Sequence, residues 1–525
     1  MLIVKNLSKH FGSKEIIRDF SYNFPDNSKI AIVGANGVGK TTLINILIGL
    51  EEYDSGEIIT PKDCIVGYLP QIPCSNPKKT ILEECLSGNK KLYNLRNEVN
   101  NLLKEMSSNC TEELYNKYLL KEENFNHLDG YVFESNAKSM LLGLEFSQNQ
   151  LEKSPLELSG GWRMRLELAK MLMNYPNFIL LDEPTNHLDL PSLIWLEGYL
   201  KTFDGTLLFI SHDKEFINGL ADKVMHIQRG FINIYNGNFN DFLEQKEAHD
   251  AMMQKQKEAI NKKTNQLQAF VDRFRYKASK AKQAQSKLKL IERLKQIENR
   301  INLEDNNKLP VFKMEIEYPS SKMVIEMKNG SIGYNENNTI NKNINFKIMR
   351  GWKVAVIGTN GIGKSTLLKT IVKQIPLISG QLSFGNNLKI GYYAQNQIDT
   401  LNPELNAVDN LLSLVPDINI QQARTVLGNL LITSEDINRP IAVMSGGEKS
   451  KIAIAALLIS KNNFILLDEP TNHLDMSSVD VLANTLSEYQ GTLMVVSHNR
   501  SFINTFADHI LQMDKTKPAE LIGVD

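Results

Sequence analysis

One nine-residue pattern occurs twice in this chain, and its spacing dictates how the chain divides. GANGVGKTT at Gly34–Thr42 returns as GTNGIGKST at Gly358–Thr366, 324 residues later. FILLDEPTNHLD at Phe178–Asp189 returns at Phe464–Asp475, but only 286 residues later. A chain that repeats itself in this way builds two copies of one unit, and the first copy carries 38 extra residues between its two motifs. Gln71 and Gln395 keep the longer offset, whereas Ser159 and Ser445 already show the shorter one, so the extra segment lies between Gln71 and Ser159. Residues 88–130 are its natural place. Leu92, Leu95, Val99, Leu102 and Leu103, then Leu114, Tyr118 and Leu119, recur at helical spacing around a Ser107-Ser108-Asn109 turn, which predicts two antiparallel helices.

Between the copies, residues 243–310 hold no glycine and no proline before Pro310 and are dense in Lys, Gln, Glu and Ala, a composition for long helices. Ala281, Ala284, Leu288, Ile291 and Leu294 form a coiled-coil-like seam, and the stretch 266–280 reads as the reversal of a helical hairpin. The expected division is 1–242, with a helical insertion at 88–130, then a charged helical linker at 243–310, then 311–525. Over the whole chain 59 basic residues meet 60 acidic ones, yet residues 271–300 carry ten Lys/Arg against three Asp/Glu, a local net of +7. The near-neutral total hides a cationic rod.

Gly34-x4-Gly39-Lys40-Thr41 and Gly358-x4-Gly363-Lys364-Ser365 fit the P-loop pattern. Its glycines let backbone N–H groups turn inward around phosphate, and the helix that follows offers its positive end. Asn36, Gly37 and Thr42, with Asn360, Gly361 and Thr366, complete the two loops. Lys40 and Lys364 are placed to reach the β- and γ-phosphates of ATP, and Thr41 and Ser365 to ligate Mg²⁺. The apolar runs Phe178–Leu181 and Phe464–Leu467 read as buried parallel strands. Each ends in Asp-Glu, at Asp182-Glu183 and Asp468-Glu469: the aspartate suits Mg²⁺, the glutamate the attacking water.

The turns LSGGW at Leu158–Trp162 and MSGGE at Met444–Glu448 resemble the signature of ATP-binding-cassette proteins, and that resemblance spans both repeats. It implies an α/β fold of two tandem P-loop cassettes in a head-to-tail sandwich, with intramolecular pairing in a monomer. Ser159, Gly160 and Gly161 then face Lys364, while Ser445, Gly446 and Gly447 face Lys40. By the same resemblance Gln71 and Gln395 are the Mg²⁺- and γ-phosphate-sensing glutamines, His212 and His498 the switch histidines, and Phe11 and Tyr334 the adenine-stacking aromatics. Glu183 and Glu469 are then the catalytic carboxylates, and Asp189 and Asp475 the aspartates that couple the sites.

Tandem cassettes, a helical insertion and a charged linker together resemble the ABC-F subfamily of translation factors. That resemblance implies a partner, the ribosome: the linker enters the tRNA exit site and approaches P-site tRNA and rRNA. Arg273, Arg275, Tyr276, Lys277, Lys280 and Lys282 are the candidate RNA contacts, since cations interleaved with aromatics suit looped RNA. Drug-displacing resistance proteins of the same subfamily, the ATPase of a transporter with separate membrane subunits, and a DNA-acting cassette protein are the alternatives. Nowhere do about 18 apolar residues run together, and the start MLIVKNLSKHFGSKEII has no signal-peptide cleavage motif. Four cysteines, Cys64, Cys74, Cys85 and Cys110, match no zinc spacing. No membrane partner and a cytoplasmic location are therefore expected.

Overall fold

The computed structural model describes residues 2–12, 14–69, 79–108, 111–158, 160–274, 281–298, 312–335, 338–394, 400–433, 436–472, 474–514 and 518–523. Gln71, Ser159, Arg275, Tyr276, Lys277, Lys280 and Gln395 lie outside them. The chain parts into two compact units, Met1–Ile234 with Leu309–Asp525, and Tyr235–Lys308.

The first unit holds both cassettes. In the first, strands β1 (Ile3–Phe11), β2 (Lys14–Asn23) and β4 (Ser55–Ile59) form an antiparallel sheet ordered β2-β1-β4. Strands β3 (Lys29–Val33), β5 (Val66–Tyr68), β6 (Phe178–Asp182), β7 (Thr206–Ile210), β8 (Lys223–Gln228) and β9 (Phe231–Asn236) form a second, ordered β5-β6-β7-β3-β8-β9. The second cassette repeats both sheets with β10 (Met323–Asn335), β11 (Asn338–Met349), β12 (Lys353–Ile357), β13 (Ser379–Phe384), β14 (Ile390–Tyr393), β15 (Phe464–Asp468), β16 (Thr492–Val496), β17 (His509–Gln512) and β18 (Glu520–Gly523). Their orders are β11-β10-β13 and β14-β15-β16-β12-β17-β18.

Every residue of β6, β7, β15 and β16 is buried, as unbroken apolar runs require when a strand is covered on both faces. Because β6, β7 and β3 run parallel, their carboxyl ends meet at one edge. Gly34, Asp182-Glu183 and Ser211-His212 follow directly from those ends, and the second cassette does the same with Gly358, Asp468-Glu469 and Ser497-His498. Open parallel sheets bind ligands at this edge.

The helices of the first cassette are α1 (Lys40–Leu47), α2 (Ile81–Leu86), α3 (Lys90–Ser108), α4 (Glu112–His127), α5 (Gly130–Gly143), α6 (Gly160–Leu172), α7 (Leu190–Lys201) and α8 (Lys214–Leu220). Helices α3 and α4 pack on each other, as the sequence pattern predicts. Thr111 caps α4, and Lys121–Glu98 at 2.7 Å ties the two together. The buried stripe is narrower than the apolar spacing: Leu92, Val99 and Leu102 are inside, while Leu103 and Leu119 face solvent. One seam between two helices accepts only every third or fourth position. Helix α5 matches the second cassette's helix Ile420–Asn429 by the 286-residue offset, so the insertion is α3 with α4.

Linker helices α9 (Phe239–Phe274) and α10 (Ala281–Glu298) belong to the other unit and pack on each other. Helix α9 starts four residues before 243. Asn238 Oδ1 accepts the N–H groups of Asn240 and Asp241 there, at 2.9 and 3.1 Å, a cap that sets the helix start. It also continues unbroken to Phe274, through the first part of the expected reversal. Val271 and Ile291 are buried, whereas Leu288 of the expected seam is exposed.

The second cassette's helices are α11 (Lys364–Ile371), α12 (Ala407–Leu414), α13 (Ile420–Asn429), α14 (Gly446–Ile459), α15 (Met476–Glu488) and α16 (Arg500–Phe506). No helix among the described residues is long and apolar enough to cross a membrane.

Candidate functional site

Each P-loop closes into a cradle that only glycine permits at its tightest points. Gly39 sits at φ 104°, and a Cβ there would lie 2.2 Å from Ile16 Cγ2; Gly34 sits at φ 152°, where a Cβ would lie 2.6 Å from the Ile227 carbonyl oxygen. Helix α1 begins at Lys40, whose Nζ folds back to donate to the Gly34 and Ala35 carbonyls at 2.8 and 3.0 Å. Lys364 donates to Gly358 and Thr359 at 2.8 and 3.2 Å. Asn36 and Asn360 stand beside these ammonium groups, Gly37 and Gly361 repeat the positive φ, and Thr42 and Thr366 lie in the first turns of α1 and α11. Burial lowers the pKa of both lysines, against the pull of Glu183, Asp475 and Asp182 on Lys40 and of Glu469, Asp189 and Asp468 on Lys364. Asp475 and Asp189 each come from the opposite cassette.

The Thr41 hydroxyl bonds Asp182, and Ser365 Oγ donates to Asp468 Oδ1 at 3.0 Å. Asp182 Oδ2 is buried with no hydrogen-bond partner, and burial raises the pKa of both aspartates. A hydroxyl, a carboxylate and an unsatisfied oxygen beside a phosphate cradle fit a divalent cation held partly by nucleotide phosphates.

Glu183 and Glu469 follow their strands at φ 52° and 49°, a backbone region that costs a non-glycine residue energy and persists where surroundings enforce it. Hydrogen bonds from their N–H groups to the Ile210 and Val496 carbonyls, at 3.1 and 2.9 Å, hold the bend. His212 Nε2 lies 3.1 Å from Glu183 Oε1, and His498 Nε2 3.3 Å from Glu469 Oε1. Burial pushes both glutamates up to about 8. Burial, then the charges of Lys40 and Lys364, pull the histidines down to about 3.

This has a measurable consequence. A raised carboxyl pKa means that the folded state binds more protons than the unfolded chain, so its stabilising effect is complete below about 4.5 and is lost as pH rises to about 8. A Glu183→Gln/Glu469→Gln protein has no such loss. Without nucleotide it should melt on the order of a few degrees above wild type at pH 8.5 and level with it near pH 5. Thermal melts across that range check this; a difference independent of pH would refute it.

Signature helices α6 and α14 open at Gly160-Gly161 and Gly446-Gly447. Ser445 caps α14 in a reciprocal box with Glu448: its N–H donates to Glu448 Oε2 at 2.8 Å, and the Glu448 N–H donates back to Ser445 Oγ at 3.3 Å. In α6 Trp162 stands where Glu448 stands in α14. Asp189 Oδ2 accepts the N–H of Asn360 in the opposite P-loop at 2.7 Å and pairs with Arg165 at 2.8 Å. Although burial works against it, the Arg165 guanidinium holds Asp189 down to about 2. Asp475 pairs with Lys451 at 3.1 Å. Lys214–Asp480 at 2.6 Å, Arg500–Glu197 at 3.0 Å and Arg500–Asp213 at 4.0 Å also join the cassettes.

Sequence reasoning did not single out Arg165, Lys451, Lys214, Arg500, Glu197 or Asp480. Arg165 and Lys451, like Lys214 and Arg500, share the 286-residue offset, and that recurrence of a cation was the available signal. Phe11 ends β1 and Tyr334 is the last residue but one of β10; they are 49% and 59% exposed, with the Lys9 ammonium 4.8 Å over the Phe11 ring. Arg273 and Lys282 lie on α9 and α10.

A family model described as ABC transporter matches residues 17–186 and 341–472, and another of the same description matches 225–311. YdiF of Bacillus subtilis, named as an ATP-binding protein, is 37% identical over 530 residues that cover 100% of this chain and 81% of that relative. YbiT of Escherichia coli O157:H7, also named as an ATP-binding protein, is 34% identical over 528 residues, covering 100% and 98%. Among solved structures, a model of ribosome-bound archaeal Pelota and ABCE1 covers 99% of this chain and 78% of its own. Its TM-score is 0.61 at 17% identity, a likeness of fold.

Proposed function

The chain belongs to the ABC-F group of ATP-binding-cassette proteins and is an ATPase, and from that premise we propose that it is a cytoplasmic translation factor whose load is the ribosome. The observation that carries this reading is the helical unit Tyr235–Lys308, set in sequence between two cassettes and bearing the net +7 of residues 271–300. A cationic rod gains affinity for a phosphate backbone by releasing counterions, whatever the base sequence. The ABCE1 similar in fold belongs to a model of ribosome-bound archaeal Pelota and ABCE1, which agrees with such a load.

In this reading each ATP sits between one P-loop and the opposite signature turn. Lys40 and Lys364 leave their carbonyl partners for the phosphates, and Ser445-Gly446-Gly447 and Ser159-Gly160-Gly161 close over the γ-phosphates from the other side. Thr41, Asp182 and Gln71, with Ser365, Asp468 and Gln395, would hold Mg²⁺, which supplies charge neutralisation at the phosphates. Glu183 and Glu469 orient and deprotonate the attacking water, with His212 and His498 beside them. Phe11 and Tyr334 stack on adenine. Closure places the linker near the tRNA exit site, against P-site tRNA and rRNA, and hydrolysis releases it. ATP shifts the equilibrium between open and closed states by as much as its affinities for the two states differ.

Charge reversal of the linker tests the partner. Lys277→Glu/Lys280→Glu/Lys282→Glu should weaken co-pelleting with purified ribosomes by about tenfold or more, and reduce the slope of log affinity against log salt by about two. Affinity and slope equal to wild type, with ATP turnover intact, would remove RNA from the proposal.

A further inference from the structure

The two nucleotide sites share a plan but are braced by different side chains. In the first cassette Arg165 is fully buried. Its guanidinium lies 4.4 Å over the ring of Trp162, Nη1 donates to the Leu144 carbonyl at 3.2 Å, and Nη2 pairs with Asp189 at 2.8 Å. Trp162 is itself wedged edge-on against Phe146 at 4.8 Å. Asp189 then acts in two directions. Oδ1 accepts the Ser192 N–H at 3.2 Å and caps α7, while Oδ2 accepts the Asn360 N–H at 2.7 Å in the second cassette's P-loop. Contacts therefore run from signature helix α6 through the buried Arg165–Asp189 ion pair into the loop that precedes Lys364.

The corresponding brace in the second cassette is chemically different. Lys451 replaces Arg165 and meets Asp475 at 3.1 Å, with both side chains slightly exposed, at 7% and 9%. Glu448 replaces Trp162 and is spent on capping Ser445. An ammonium is a rotatable point charge, whereas a guanidinium held by a ring face and a carbonyl presents its remaining N–H groups in one direction.

We propose that Arg165 is a positioning residue for the opposite nucleotide site: through Asp189 it sets the Asn360 N–H and the P-loop around Lys364, making that site the more rigidly preformed of the two. This rests on the reading of both P-loops as ATP sites. A preformed loop loses less freedom when phosphate arrives, so the Lys364 site binds ATP more tightly than the Lys40 site, near which Asp475 pairs with Lys451.

The test exchanges the two cations and reads each site separately by binding. A Lys40→Ala background leaves the Lys364 site, and a Lys364→Ala background leaves the Lys40 site, with a fluorescent trinitrophenyl-ATP and Mg²⁺ as the probe. Arg165→Lys, which installs the second cassette's own pairing, should weaken the probe about tenfold at the Lys364 site and less than about twofold at the Lys40 site. Lys451→Arg should tighten the Lys40 site by about threefold or more and leave the other within about twofold. Equal weakening at both sites by Arg165→Lys, with a lowered melting temperature, would make the arginine a stabiliser alone and overturn the proposal. So would unchanged affinity at either site after both exchanges. A parent chain that binds no probe before any exchange would instead overturn the ATP reading itself, and the proposal with it.

Discussion

Replacing Glu183 and Glu469 together with glutamine should lower steady-state ATP turnover by about 10²–10⁴-fold, the range a positioned general base contributes. Glutamine keeps the shape of the side chain and the strained bend at φ 52° and 49°, but it cannot take a proton from water. ATP still enters, because the cradles of Gly34–Thr41 and Gly358–Ser365 are untouched. On the proposed mechanism the cassettes should then close and stay closed. In a cell extract supplied with ATP, the double variant should move stably into the 70S or polysome fractions of a sucrose gradient while wild type remains near the top. Phosphate release checks the chemistry and sedimentation checks the load, so the two conclusions separate. Turnover within a tenth of wild type would remove both glutamates from catalysis. Full loss of turnover with no shift in the gradient would keep the ATPase and discard the ribosome.

Arg165→Ala should be the most destabilising single change considered, costing about 3–5 kcal/mol. The Arg165 and Asp189 side chains are both wholly buried, and removal of the guanidinium leaves a carboxylate with its charge uncompensated inside the protein. Truncating Lys451 should cost less, because the Lys451–Asp475 pair retains some contact with water. Urea denaturation of the nucleotide-free chain measures both. Asp189 responds to the same loss through its titration: held down to about 2 by Arg165, it should ionise at higher pH once the arginine is gone. An Arg165→Ala protein within about 1 kcal/mol of wild type would show that the buried pair contributes little beyond its own desolvation.

Much of the candidate site was legible in the chain because the chemistry proposed for it is written in contiguous residues. A phosphate cradle is built from consecutive backbone N–H groups, so Gly34 to Thr42 and Gly358 to Thr366 carry it whole. Asp182-Glu183 follows a run apolar enough to be a buried strand, and a parallel strand's carboxyl end is where ligands bind. The helical insertion was visible for the same reason, since its seam repeats along one stretch. What eluded the pattern was the choice among neighbours. Leu103 and Leu119 share the spacing of Leu102 and Tyr118 and yet face solvent, because helical periodicity gives a direction and the packed partner gives its width. The start of α9 at Phe239 was set by Asn238, a cap outside the charged stretch that marked the linker.

Local order along the chain was enough to specify two P-loop cassettes, their order, the insertion in the first and the cationic helices between them. Each of those features is a property of residues close in sequence. Which charges confront one another could come from the fold alone. Asp189 reaches Asn360, Lys214 reaches Asp480 and Arg500 reaches Glu197 across separations of 171 to 303 residues. Electrostatic and hydrogen-bonding energies depend on distance in space, and no spacing in the chain encodes a distance that arises when two separate cores come into contact.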